Sequence, residues 1–152
     1  MSPDTDVLIL ALAFMQKLEI PVFIKYQSKT RTEYFDINKA AKALGIGKCS
    51  CLLGLHSVTG CDTVSCFAGK GKVSALRLLN EEKHRNTLQS LGQSWDLSQE
   101  SVQHLQALVC ALYSAKTTLV SVNELRFSMF CAKKGEVESW QLPPCASSLF
   151  NH

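Results

Sequence analysis

Eight consecutive apolar residues near the start of the chain, Val7–Phe14 (VLILALAF), decide the predicted fold. A continuous run rich in aliphatic side chains is typical of a strand buried on both faces, as in the centre of a mostly parallel sheet. A short buried helix has the same pattern, because periodicity alone does not separate the two. We adopt the strand, which predicts an α/β fold built on a parallel sheet with helices.

The rest of the chain changes from strand patterns to helix patterns. Pro21–Tyr26 and Glu33–Ile37 are two further strand candidates, and either Asp36 or Asn38 is placed to cap a short helix that ends at Gly45. Beyond this point, helices are predicted over residues 48–57, 72–79, 81–91 and 98–114, and in a segment that begins at a capping box of Ser121 and Glu124. The sequence therefore predicts an α/β structure in the first part of the chain and an all-α structure in the second.

Length and composition indicate one ordinary globular domain. The chain has 152 residues, of which 46% are hydrophobic and 19% are charged, and this balance excludes an intrinsically disordered protein. The formal net charge is only +3. Nucleic-acid binding would therefore depend on a local cluster of cations, since the overall charge is too small to drive it.

The cysteines and the N-terminus predict a soluble intracellular protein. There are seven cysteines, an odd number, and most lie in apolar runs, which is typical of reduced and buried thiols. The apolar run Val7–Phe14 is too short to span a bilayer. Asp4 and Asp6 precede it where a signal peptide would carry Lys or Arg, so neither secretion nor a membrane partner is expected. The oligomeric state is left open.

An acidic pair stands directly before the apolar run, in Ser2-Pro3-Asp4-Thr5-Asp6. In an extended segment, residues two apart point the same way, so Asp4 and Asp6 would place two carboxylates on one side of the strand end. Carboxylate oxygens are the ligands that Mg²⁺ prefers. The alternative is a solvated acidic N-terminus in which one aspartate caps a helix or strand.

A third aspartate and a glycine-lysine turn follow later in the chain. Asp62 comes after a glycine in Gly60-Cys61-Asp62, and the chain then runs through Gly69-Lys70-Gly71-Lys72 into a predicted helix. Gly69 and Gly71 would let the backbone approach a ligand closely, and Lys70 and Lys72 would add positive charge for a phosphate. The alternative is a tight turn with two solvated lysines.

Taken in order, these motifs resemble the flap endonuclease (XPG-type) branch of the PIN-like nucleases. The chain more closely resembles animal proteins derived from mobile elements that carry Ser-Pro-Asp-Thr-Asp and Gly-Cys-Asp…Phe-Ala-Gly-Lys-Gly-Lys motifs. The resemblance implies a nucleic-acid partner and Mg²⁺ or Mn²⁺ held by Asp4, Asp6 and Asp62. It also implies a helix-hairpin-helix turn, made of Gly69, Lys70, Gly71 and Lys72, that contacts phosphates and can hold a monovalent cation.

The resemblance also predicts how the chain is divided. Residues 1–68 correspond to the C-terminal part of a PIN-like nuclease domain, residues 69–135 to a helical region with the hairpin, and residues 136–152 to an irregular tail. In the family, further acidic residues precede the DxD strand, and this chain starts at Met1 without them. We therefore expect a truncated nuclease that is weak or inactive, and assign no catalytic residue.

Other interpretations of the same residues stay open. The chain is alternatively a non-catalytic module that binds nucleic acid or protein, and a nuclear location is favoured if it binds DNA. Cys49, Cys51, His56, Cys61 and Cys66 contain soft ligands for zinc, but the Cys-x-Cys spacing and apolar surroundings favour buried thiols. The basic group Lys83-His84-Arg85 is predicted to be a solvated face, or an extension of a phosphate-binding track from Lys70 and Lys72.

Overall fold

The computed structural model describes residues 5–18, 20–27, 29–60, 67, 69–93 and 98–149. Over these ranges, the chain is mostly helical and contains one two-stranded antiparallel sheet. The α-helices are α1 Thr5–Phe14, α2 Ile37–Leu44, α3 Ile46–Cys49, α4 Leu52–Thr59, α5 Lys72–Leu76, α6 Glu82–Ser90, α7 Gln99–Tyr113, α8 Val122–Ala132 and α9 Ala146–Leu149. The strands are β1 Phe23–Gln27 and β2 Thr32–Asp36, and 3-10 turns cover Met15–Lys17, Arg77–Asn80 and Ser139–Gln141.

The apolar run at the start of the chain is a helix, so the predicted strand over Val7–Phe14 is wrong. The run is made largely of leucine and alanine, the residues with the highest helix propensity. Helix α1 packs against α4 and α2, and Ile9 is its buried residue. Val7 and Leu10 remain 50% and 46% exposed. The predicted parallel sheet is not confirmed, because the sheet in the described residues is antiparallel.

The other two strand candidates do form strands, and they pair with each other. Phe23 lies opposite Asp36 and Tyr26 lies opposite Glu33 in the antiparallel register. Strand β2 ends at Asp36 because this residue caps α2: its carboxylate accepts a hydrogen bond from the Lys39 backbone N–H at 3.0 Å. Asp36, rather than Asn38, is therefore the cap.

The side chain of Asn38 instead attaches the β-hairpin to α2. Its side-chain oxygen accepts a hydrogen bond from the Val22 N–H at 3.0 Å, and the Ile37 N–H donates to the Val22 carbonyl at 3.0 Å. Ile37 is fully buried. Helix α2 ends at Gly45, as predicted, and the positive φ of 87° there favours glycine.

The hydrophobic core is built around α4. This helix contacts α1, α5 and α6, and it buries Leu52, Leu55 and Val58. Gly54, which is also buried in this helix, lies against the backbone of Leu88 in α6. Because glycine has no Cβ, the two helices can approach until backbone touches backbone.

The C-terminal half closes the core from the other side. Ser98 caps α7 by accepting from the Ser101 N–H at 3.1 Å, and the Ser121 hydroxyl accepts from the Glu124 N–H at the start of α8. The same hydrophobic cluster runs from Ile9 in α1 to Leu149 in α9, so it includes residues on both sides of the predicted boundaries after 68 and 135. None of the described helices is long and apolar enough to cross a membrane.

Substitution of Gly54 by alanine tests the close approach of α4 to α6. The new Cβ would overlap the carbonyl group of Leu88, so we expect the free energy of unfolding to fall by about 1–3 kcal/mol. The matched control is Gly47→Ala in α3, where a Cβ meets no atom within 4 Å. That variant should keep or slightly raise stability, because alanine is the better helix former. Urea denaturation measures both, and equal stabilities would contradict the packing.

Candidate functional site

The predicted metal ligand Asp6 lies beside a histidine of α4. Asp6 stands in the first turn of α1, and its Oδ1 is 3.4 Å from Nε2 of His56. Both side chains are partly exposed. His56 Nδ1 is buried and makes no hydrogen bond within the described part of the chain. Asp6 of the acidic motif is thus placed against the second half of α4.

The end of α4 meets the glycine-lysine turn. Gly60 ends the helix with a positive φ of 79°, and its carbonyl oxygen accepts a hydrogen bond from Lys72 Nζ at 3.0 Å. In the sequence, Gly60 leads directly into Cys61 and Asp62. The structure therefore brings Asp6, His56 and Lys72 to the same helix, although they are far apart in the chain.

The turn itself is held by contacts with the core. Lys70 Nζ lies 5.1 Å from the centroid of the Tyr113 ring and 3.5 Å from the Tyr113 carbonyl oxygen. With Lys72 bound to Gly60, both lysines contact the protein, and both side chains are only partly exposed. Gly69 has a positive φ of 68°, and a Cβ at either Gly69 or Gly71 would meet no atom of the described residues within 4 Å. The space beside both glycines is open, as close approach of a ligand requires.

Of the three predicted metal ligands, the structure places Asp6. Asp4 and Asp62 lie outside the described residues. Within the described ranges, no group of three or more His, Cys, Asp and Glu side chains is arranged to hold a metal ion. The magnesium or manganese site and the monovalent cation in the hairpin turn therefore remain predictions.

The cysteines that were considered for zinc behave as buried thiols where they are described. The Cys51 thiol donates to the Gly47 carbonyl at 3.0 Å, and burial raises the pKa of both Cys49 and Cys51. Zinc binds the thiolate, which a raised pKa disfavours. Cys110 is also buried, and burial raises its pKa to about 11. Cys61 and Cys66 lie outside the described residues.

The basic group of α6 is not the solvated face that the sequence predicts. His84 is only 3% exposed, its Nε2 has no hydrogen-bond partner in the described structure, and Glu81 Oε2 is 3.7 Å away. The Arg85 guanidinium donates to the Leu79 carbonyl at 2.8 Å, and Lys83 pairs with Glu81 at 2.9 Å. An extension of a phosphate-binding track from Lys70 and Lys72 stays a prediction. In a helix, His84 lies on the same face as Leu88, four residues later, and this pattern was the signal in the sequence for the burial of His84.

Cys145 was not predicted from the sequence as a functional residue. Its sulfur lies 3.2 Å from the Ser147 hydroxyl and 3.0 Å from the Ser148 hydroxyl, at the start of α9. These hydrogen bonds lower the pKa of the Cys145 thiol to about 7. The sequence signal is the Cys-Ala-Ser-Ser order directly after two prolines, since it puts a thiol at a helix start followed by two hydroxyls.

Comparison with known proteins adds no relative to this geometry. No family model matches the chain, and it matches neither a curated protein nor a solved structure. The likeness to flap-endonuclease-type PIN-like nucleases therefore rests on the order of the motifs alone.

Burial of His84 predicts a loss of stability in mild acid. Burial lowers the pKa of His84 below its ordinary value of about 6.5, whereas Glu81 opposes this shift and Lys83 reinforces it. Below a pH of about 6.5, the unfolded chain binds a proton that the folded protein does not yet take up. The free energy of unfolding therefore decreases as the pH is lowered. His84→Gln should flatten this dependence, measured by urea denaturation. The exposed control His104→Gln should keep the wild-type slope, and an unchanged slope in His84→Gln would contradict the assignment.

Thiol labelling should separate the cysteines by position. Because the pKa of Cys145 is about 7, its alkylation by iodoacetamide should rise with pH to a half-maximum near that value. Ser148→Ala removes one hydroxyl donor and should move the half-maximum to higher pH. Buried Cys110 should react only after unfolding. Mass spectrometry of labelled peptides measures each site, and rapid labelling of Cys110 in the native protein would contradict its placement.

Proposed function

We propose that this chain is related to the metal-dependent nucleases of the PIN-like, flap endonuclease type and that it keeps a weak hydrolysis of phosphodiester bonds in nucleic acid. The observation that carries the proposal is the meeting of three distant motifs at α4. Asp6 of the acidic motif is 3.4 Å from His56, and Lys72 of the glycine-lysine turn is bonded to Gly60, which precedes Asp62.

The carboxylates suit a hard divalent cation. In the sequence, Asp4 precedes Asp6 by two residues and Asp62 follows Gly60 by two, and the described members of these pairs, Asp6 and Gly60, lie at α4. Oxygen ligands of this kind are the ones that Mg²⁺ and Mn²⁺ take in proteins. A divalent cation supplies charge neutralisation at the phosphate and an activated water. Cation binding in this proposal depends on Asp4 and Asp62 as well as Asp6.

Lys72 is positioned to hold the phosphate. A lysine ammonium has three hydrogen-bond donors, and the bond to the Gly60 carbonyl uses one of them. The remaining donors, fixed in direction by that bond, are available to a phosphate oxygen. The open space beside Gly69 and Gly71 lets the sugar-phosphate backbone come close to the turn.

His56 acts in this proposal as a positioning residue. Its Nε2 lies 3.4 Å from one oxygen of the Asp6 carboxylate. A histidine that binds one oxygen of a ligating carboxylate fixes the direction of that carboxylate, as outer-sphere partners of metal ligands do.

A second candidate function is nucleic-acid binding without cleavage. It is favoured by the antiparallel pair of strands, which stands where the PIN-like resemblance implies a parallel sheet that carries the acidic residues. A module of this kind would keep the lysine turn and would bind without a divalent cation.

Cleavage assays with Asp62→Asn and Asp6→Asn test the proposal. Flap and single-stranded DNA and RNA are incubated with the protein in Mg²⁺ or Mn²⁺. Loss of a metal ligand should reduce the rate by at least about 100-fold, since loss of an outer-sphere partner already costs about 10–100-fold. The matched control is Asp36→Asn, which removes the same charge but keeps the cap of α2, because asparagine caps helices equally well.

Each outcome is decisive. Cleavage that disappears with EDTA and in both site variants, but persists in Asp36→Asn, supports the nuclease. Cleavage that is absent from the wild-type protein, or insensitive to both site variants, overturns it. Binding that needs no divalent cation and weakens in Lys72→Ala would then support the second candidate.

A further inference from the structure

The β-hairpin has a surface that neither the core nor the α4 site uses. We call β1, β2 and the connecting residues 29–31 the ribbon. No ribbon residue belongs to the hydrophobic cluster formed by the described residues. The ribbon is attached at its open end, where Val22 bonds to Ile37 and Asn38.

One face of the ribbon carries exposed aromatic rings. Side chains alternate along a strand, so Phe23 and Lys25 of β1 share a face with Tyr34, which lies directly opposite Lys25. Phe23 is 57% exposed and Tyr34 is 65% exposed. The two rings are diagonal neighbours across the strands, with a typical separation of about 7–8 Å. Large rings exposed together on a small two-stranded sheet are a mark of a binding surface.

The charge around these rings is positive. The ribbon contributes Lys25, Lys29 and Arg31 against Glu33 and Asp36. Both acids are engaged by neighbouring cations: Arg31 lies 2.8 Å from Glu33, and Lys39 lies 3.5 Å from Asp36. Lys25 and Lys29 form no ion pair with a carboxylate of the described residues, so their charge is available to a ligand.

We propose that this face of the ribbon binds a single strand of nucleic acid. Unpaired bases can stack on the rings of Phe23 and Tyr34, and Lys25, opposite Tyr34, can contact the phosphate between them. A paired duplex does not offer its base faces to such rings. A protein strand added to the edge of β1 is disfavoured, because a lysine on an edge strand opposes such pairing. The inference concerns a surface separate from α4 and does not depend on cleavage.

The test is fluorescence anisotropy of the full chain with labelled oligothymidylate and oligouridylate, without divalent cations. Tyr34→Ala and Phe23→Ala should each weaken binding by roughly tenfold, as loss of one stacking ring does. Lys25→Ala should reduce the slope of log affinity against log salt by about 0.7. The controls are Phe127→Ala, which removes an aromatic ring that is 70% exposed on α8, and Lys116→Ala in an exposed turn. Thermal unfolding confirms that each variant is folded.

The expected result is weakened binding in the three ribbon variants and wild-type binding in both controls. Equal binding by the ribbon variants and the wild type overturns the proposal, as does an absence of binding at low salt. A dimer in sedimentation that Tyr34→Ala converts to monomer, without nucleic-acid binding, would overturn it in favour of an interface between two copies. Ribbon-dependent binding without metal-dependent cleavage would refute the nuclease alone, whereas metal-dependent cleavage together with oligonucleotide binding that is unchanged in all ribbon variants would refute this inference alone.

Discussion

The arrangement of the helices depends on the contact between Gly54 in α4 and the backbone of Leu88 in α6. This contact lets α4 lie deep enough to bury Leu52, Leu55 and Val58 at once while it also packs on α1 and α5. A larger residue at Gly54 would push the two helices apart and lift those side chains out of the core. The second half of α4, which carries His56 and ends at Gly60, owes its position to the same contact.

The sequence predicts elements well where local chemistry decides them, and poorly where tertiary contacts do. Gly45 ends α2 and Ser98 starts α7, each as expected, and Asp36 caps α2 as one of the two residues considered, because capping depends on a side chain and the backbone next to it. The run Val7–Phe14 was predicted as a strand because an apolar pattern without a period fits a strand or a helix. What decides it is the presence of α4 and α2 as packing partners, together with leucine and alanine in the run.

The site shows the same division. The residue types at Asp6 and Gly69–Lys72 suggested oxygen ligands and a phosphate contact, but neither the pairing of Asp6 with His56 nor the bond from Lys72 to Gly60 can be deduced from spacing. Likewise, the sequence treats Lys83, His84 and Arg85 as one basic group. The helix separates them, since it turns His84 into the interior and leaves Lys83 outside. Chemical character is local, whereas the direction of a side chain depends on what its helix packs against.

The two hydrogen bonds at Val22 have a mechanical consequence. They connect the open end of the ribbon to the first turn of α2. The side chain of Ile37, which is buried, anchors the same attachment. Movement of the ribbon relative to α2 would have to break these bonds, and α2 in turn packs against α1. Asp6 lies in the first turn of α1. The ribbon, α2 and α1 are thus connected in series, from the aromatic face of the ribbon to the carboxylate beside His56.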